Sequence, residues 1–271
     1  MVALSFGPRP PTGAPDELAP AFLEAVQARG VKLPADRLGR RILAEYGAQL
    51  VSQGAGVVFP PLYRFPGQPE IAAWQASAHP TAVSLGGVSI ELQPAAARAI
   101  AEAAAEAKTL KLGLRPRGGA SAARRSYGDA ATFWKSRVDG GLAHWVKAGK
   151  LTRARAAALR AMPLAEQIEA VLEEEDQGRF FASSLDKTVM RSTAPPGSSQ
   201  HHAMLALDVE QYDDARVRAL LNRHGWFQTV LSDLPHFTYL GAAEKDLPGL
   251  GLTRVTAEGR VWWIPARRLT K

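Results

Sequence analysis

Ser199-Gln200-His201-His202-Ala203-Met204-Leu205-Ala206-Leu207-Asp208 is the stretch that decides how this chain is read. It is answered, 25 residues after Asp208, by Asp233-Leu234-Pro235-His236. Two histidines and an aspartate stand in one run, and a second aspartate precedes the last histidine by three residues. That is the donor inventory of a catalytic zinc site. Zinc hydrolases commonly supply three protein ligands and leave the fourth position to water, and a nearby carboxylate takes that water's proton. On this reading His201, Asp208 and His236 hold Zn2+ and Asp233 is the general base. The chain has no cysteine, so disulfides and thiolate zinc sites are excluded. Any metal must rest on His, Asp or Glu.

The spacing resembles that of a known family. Ser-x-His-x-x-Gly-x-Ala-x-Asp followed by Glu-x-x-His is the signature of the zinc D-Ala-D-Ala carboxypeptidases. Their superfamily also holds peptidoglycan-cleaving endolysins, lysostaphin-type peptidases and the hedgehog signalling domain. This chain matches at Ser199, His201, Ala206, Asp208 and His236. The flanking Ala194-Pro-Pro-Gly197 and Phe237-Thr-Tyr239-Leu-Gly241 are also similar to that family. Upstream, Arg125-Ser126-Tyr127 resembles its Tyr-Arg-Ser-Tyr segment. The likeness spans residues 83–241, with three separated motifs in the family's order.

The resemblance implies a zinc-dependent peptidase acting on peptidoglycan stem peptides near D-Ala. Arg125 would be catalytic, clamping substrate or stabilising the tetrahedral intermediate, because guanidinium bonds carboxylates in bidentate fashion. Ser199 would hydrogen-bond either a metal ligand or the substrate terminus, and Tyr127 would either contact substrate or pack. Two departures stand out. Met204 occupies the family's glycine position, and Asp233 replaces its glutamate, a base shorter by one methylene or about 1.5 Å of reach. The shorter base opens a second reading, a zinc-holding domain without peptidase activity. A third is a cell-wall-binding protein whose basic surface is the working part. The setting implied by the resemblance is periplasmic or extracellular, yet the opening Met-Val-Ala-Leu-Ser-Phe-Gly-Pro shows no basic and apolar signal-peptide pattern.

Composition sets wider bounds. With 271 residues, 46% hydrophobic and 22% charged, the chain is long enough to bury a proper core. No run approaches the roughly 18–20 apolar residues of a transmembrane segment. The net charge of +7 favours anionic partners. Nucleic acid is not expected, because the basic residues are scattered and no recognition motif occurs.

Patterning predicts an α+β fold: a small antiparallel sheet carrying the zinc site, flanked by helices. Residues 1–80 form a helical N-terminal extension and 81–271 the peptidase-like domain. Residues 1–15 read as flexible, and Asp16 as the cap of a helix bearing Leu18, Phe22 and Val26. A second helix runs near 35–46, and Gly54 to Pro69 interrupts regular structure. Val83–Leu92 reads as strands about Gly86-Gly87, and Pro94 opens an alanine-rich helix. A short strand is expected over Lys108–Arg115. Helices follow near 129–147 and within 151–176, where Glu173-Glu-Glu-Asp176 reads as a solvated charge run. Strands are expected over Ala203–Val209, Trp226–Leu231 and Phe237–Leu240, with a helix from Asp213-Asp214 to His224-Gly225 between the first two. Val255–Pro265 should close as a hairpin.

Overall fold

The computed structural model describes residues 17–268, and its fold is α+β. The expected Asp16 cap lies outside the described residues. The first helix, α1 (Pro20–Gln27), instead starts with proline in its first turn and buries Phe22 and Val26. Helix α2 (Arg37–Tyr46) is capped by the Asp36 side chain, which accepts a hydrogen bond from the Gly39 N–H. The sequence pattern missed α3 (Gln68–Ser77), whose Pro69 sits in the first turn. A hairpin of β1 (Thr81–Leu85) and β2 (Val88–Leu92) leads into α4 (Pro94–Thr109).

The strand expected over Lys108–Arg115 does not form. Helix α4 consumes its first residues, Lys111 takes φ +55°, and only an isolated bridge from Pro116 to Val209 remains. Next come α5 (Tyr127–Lys147), α6 (Arg153–Ala161) and α7 (Leu164–Asp176). Helix α5 begins with a capping box between Ser126 and Asp129. The acidic run ending α7 is not simply solvated, because Glu174 and Glu175 are buried. Glu174 accepts from Arg155 and Arg179, while Glu175 accepts from Thr188 Oγ1 and the backbone of Phe181 and Val189. A buried carboxylate is stable only with such partners, which the sequence does not place next to it.

The central sheet is small and antiparallel, in the order β3 (Ala206–Asp208), β5 (His236–Tyr239), β4 (Trp226–Phe227). Helix α8 (Ala215–Arg223), capped by Asp214, connects β3 to β4. Both outer strands are shorter than expected. Residues 201–204 are turn, with Met204 at φ +54°, so the strand begins only at Ala206. Beyond Phe227 the chain leaves the sheet towards the turn at Ser232, φ +67°. A hairpin of β6 (Leu252–Ala257) and β7 (Arg260–Pro265) closes the fold as its alternation predicts.

Three apolar clusters hold these elements. One face of the sheet packs on α4, α8 and the first hairpin through Ile90, Ile100, Leu205, Leu207 and Phe237. Helices α2, α5, α6 and α7 share a second cluster containing Ile42, Trp134 and Val171. In the third, Phe22 and Leu50 meet Phe227, Leu240 and Trp263. Residues 17–80 thus contribute side chains to cores completed by the later chain. No helix among the described residues is long and apolar enough to cross a membrane.

Candidate metal centre

Register explains the convergence of the site. Asp208 and His236 are directly paired partners on β3 and β5, so their side chains leave the same face of the sheet. His201 arrives from the preceding loop. That loop is fixed by Gly197, whose φ of +92° and close approach to the Phe65 carbonyl leave no space for a Cβ. The Phe65 N–H also donates to the Gly197 carbonyl, and the Arg125 N–H reaches that of His201. Met204 ends the loop fully buried despite its left-handed backbone. Holding a non-glycine residue at that positive φ costs about 1–2 kcal/mol locally.

Three donor atoms form a nearly equilateral triangle. His201 Nε2 lies 3.2 Å from His236 Nδ1 and 3.4 Å from Asp208 Oδ1, and the latter two are 3.2 Å apart. A tetrahedral ion with ligands at about 2.0–2.1 Å separates its donors by about 3.3–3.4 Å. The side chains thus form a buried cluster that could hold a metal ion.

The surrounding hydrogen bonds support the same assignment. His201 Nδ1 faces the Ala123 carbonyl at 3.1 Å, so Nδ1 carries the proton and Nε2 presents a lone pair. His236 Nε2 faces Gln200 Oε1 at 2.8 Å. The Gln200 amide is oriented by donating to the Tyr46 carbonyl at 2.9 Å, while its Oε1 also accepts from Thr238 Oγ1 at 2.5 Å. His236 Nδ1 is therefore also left as a lone pair. Two imidazole lone pairs and a carboxylate oxygen then face one point, which is unfavourable without a cation there.

Ionisation agrees with this picture. Burial first, then the Arg125 charge, pushes His201 down to about 3 against the opposing pull of Asp208. His201 is therefore neutral, the form that binds metal. Burial alone would raise Asp208, but its polar and charged neighbours, His201, His236 and Arg125, hold it well below the usual carboxylate range, so it is ionised. His202 is not part of the triangle. Its Nδ1 faces the Arg125 carbonyl at 3.0 Å, and burial lowers it to about 4.

A cleft of about 320 Å³ opens onto the triangle, and Asp233, Arg125 and Ser199 line it. The Asp233 side chain has no hydrogen-bond or ion-pair partner among the described residues. Burial pushes its carboxyl up to about 6, with Asp208 adding to the rise and His236 and Arg125 opposing it. Arg125 is committed to a protein partner: it ion-pairs with Asp208 Oδ2, donates through Nε to the Ser121 carbonyl at 2.9 Å, and lies over the Phe133 ring. It holds Asp208 in place instead of standing free for substrate. Ser199 Oγ accepts from the His201 N–H at 3.3 Å, bracing the loop. Tyr127 opens α5 outside the cleft lining, its N–H bonded to Gln68 Oε1. Gln200 was missed from sequence; its place beside His201 was the only signal.

The chain matches no family model, no curated protein and no solved structure.

Proposed function

We propose that this chain is a zinc-dependent peptidase that hydrolyses peptidoglycan stem peptides near D-Ala, in the manner of a D,D-carboxypeptidase. The carrying observation is the triangle of His201, Asp208 and His236 at the floor of a cleft that also holds the unpaired Asp233. The substrate comes from the resemblance at Ser199, His201, Ala206, Asp208 and His236. Two neutral imidazoles and one carboxylate suit zinc. Their 3.2–3.4 Å separations favour a tetrahedral ion over an octahedral one, whose donors at about 2.1–2.2 Å would stand about 3.0 Å apart.

When bound, zinc supplies a Lewis acid that lowers the pKa of a water and polarises a carbonyl. The chain's own groups do the remainder. Asp233 accepts the proton of the attacking water and delivers it to the leaving amine as the C–N bond breaks. Burial favours this role, because a carboxyl raised to about 6 both takes and returns a proton near neutrality. Arg125 holds Asp208 through Oδ2, leaving Oδ1 turned towards the histidines. Gln200 and the Ala123 carbonyl fix the two imidazole tautomers.

The test is incubation of the zinc-loaded protein with defined muropeptides and identification of products by mass. Release of D-Ala or cleavage at the neighbouring bond supports the proposal. A fully zinc-loaded protein that leaves every stem peptide intact rejects it in favour of a non-catalytic zinc domain.

A further inference from the structure

Three arginines, Arg117, Arg125 and Arg137, line the cleft against two carboxylates, Asp208 and Asp233. The cleft is therefore positive before any divalent cation adds to it, and it draws anions. The three guanidinium groups are not equivalent. Arg125 is neutralised by Asp208. Arg117 is exposed at the rim, 5.6 Å from the Tyr212 ring. Arg137 is half-buried and pinned by two neutral hydroxyls: Nε donates to Ser192 Oγ at 2.9 Å, and a terminal nitrogen donates to Ser136 Oγ at 3.0 Å. Neither Arg117 nor Arg137 has a carboxylate partner among the described residues.

Helix α5 places Phe133 and Arg137 one turn apart, so both face the cleft. Phe133 is 38% exposed there, with the Arg125 guanidinium over its ring. A guanidinium that lines a cleft and is held by hydroxyls that bring no counter-charge is preorganised to bind an anion. A partner carboxylate within the fold would have quenched it, as Asp208 quenches Arg125.

We infer that Arg137 is the specificity-determining residue of this cleft, reading a free carboxylate of the peptide substrate in the place the sequence assigns to Arg125. The substrate's location rests on the peptidase reading above; the choice of Arg137 rests on the pairing of the arginines. Exopeptidase over endopeptidase action then follows, because a terminal carboxylate is what the site rewards.

The test uses a ketomethylene isostere of D-alanyl-D-alanine, which has no amide bond to cleave, and its C-terminal carboxamide. Both are titrated calorimetrically into zinc-loaded wild type, Arg137→Gln and Arg137→Lys. A charge-assisted contact predicts that wild type binds the acid about 10- to 100-fold more tightly than the carboxamide. Arg137→Gln should lose most of that ratio, and Arg137→Lys should keep part of it, as a point charge without the planar fork. If Arg137→Gln does not fold, the lysine variant reads the same ratio. Equal binding of acid and carboxamide by wild type, or an undiminished ratio in Arg137→Gln, overturns the inference. A retained ratio in a protein that hydrolyses no muropeptide rejects the peptidase reading and leaves Arg137 as an anion site. Hydrolysis without acid preference rejects Arg137 alone.

Discussion

Gln200→Met is the sharpest perturbation of the proposed centre, because it replaces none of the proposed ligands. Gln200 is 1% exposed and receives His236 Nε2 at 2.8 Å. Methionine is close in length and equally buried, so it removes the acceptor with little change in packing. His236 then loses the bond that keeps its proton on Nε2, and the tautomer with Nδ1 protonated, useless for binding, becomes accessible. Losing such an outer partner costs about 10- to 100-fold in metal affinity, or about 1.4–2.8 kcal/mol. The Tyr46 carbonyl and the Thr238 hydroxyl lose partners too, so global stability should fall by about 1–3 kcal/mol. Zinc competition against a chromophoric chelator, run where circular dichroism shows the variant folded, separates the two effects. Gln200→Glu is the control: it keeps an acceptor for His236 and should hold zinc at least as well as wild type while losing the bond to Tyr46. Unchanged zinc affinity in Gln200→Met, beside a large loss in His236→Ala, would refute the tautomer argument.

Three further expectations follow from the same geometry. Asp233→Asn should bind zinc normally yet lose about 10²- to 10⁴-fold in turnover, because an amide cannot accept the water's proton; wild-type turnover would remove Asp233 from the mechanism. The base works ionised, so hydrolysis should rise with pH, with a midpoint at or below about 6. Burial and the neighbouring Asp208 raise the Asp233 carboxyl to that value, and a bound cation can only favour its ionised form. The same acid limb persisting in any residual turnover of Asp233→Asn would assign it to another group. Gly197→Ala places a Cβ 2.1 Å from the Phe65 carbonyl oxygen at a φ of +92°, so about 2–5 kcal/mol should be lost; a denaturant midpoint within error of wild type would contradict the loop geometry.

What the sequence conveyed well was local. Proline in the first turn of α4, Asp214 before α8, and the alternation either side of Gly259 are signals carried by neighbouring residues, and the corresponding helices and hairpin lie where those signals put them. The strands around the His201, Asp208 and His236 triangle are read too long because apolar alternation cannot report where the backbone turns. Met204, at a positive φ, closes the turn just before β3, and Ser232, also at a positive φ, lies in the turn beyond β4. The acidic end of α7 misled for a different reason. The groups that let Glu174 and Glu175 be buried include Arg155, 19 residues earlier, and the Val189 N–H, 14 residues later. Within the site, spacing picked out His201, Asp208 and His236, which the fold brings together. It did not show that Arg125 would be spent on Asp208, that Tyr127 would stand outside the cleft, or that Gln200 would set a tautomer. Those facts depend on which side chain finds which partner across the sheet.

Metal stoichiometry tests the central claim most directly. Wild-type protein, His201→Ala and His236→Ala would be stripped with chelator, re-equilibrated by dialysis against buffered zinc, and analysed for metal by mass spectrometry, with circular dichroism verifying the fold of each. The account predicts one zinc per wild-type chain and essentially none in either variant. Folded wild type that takes up no zinc, or a His201→Ala protein that binds it as tightly as wild type, would contradict the account.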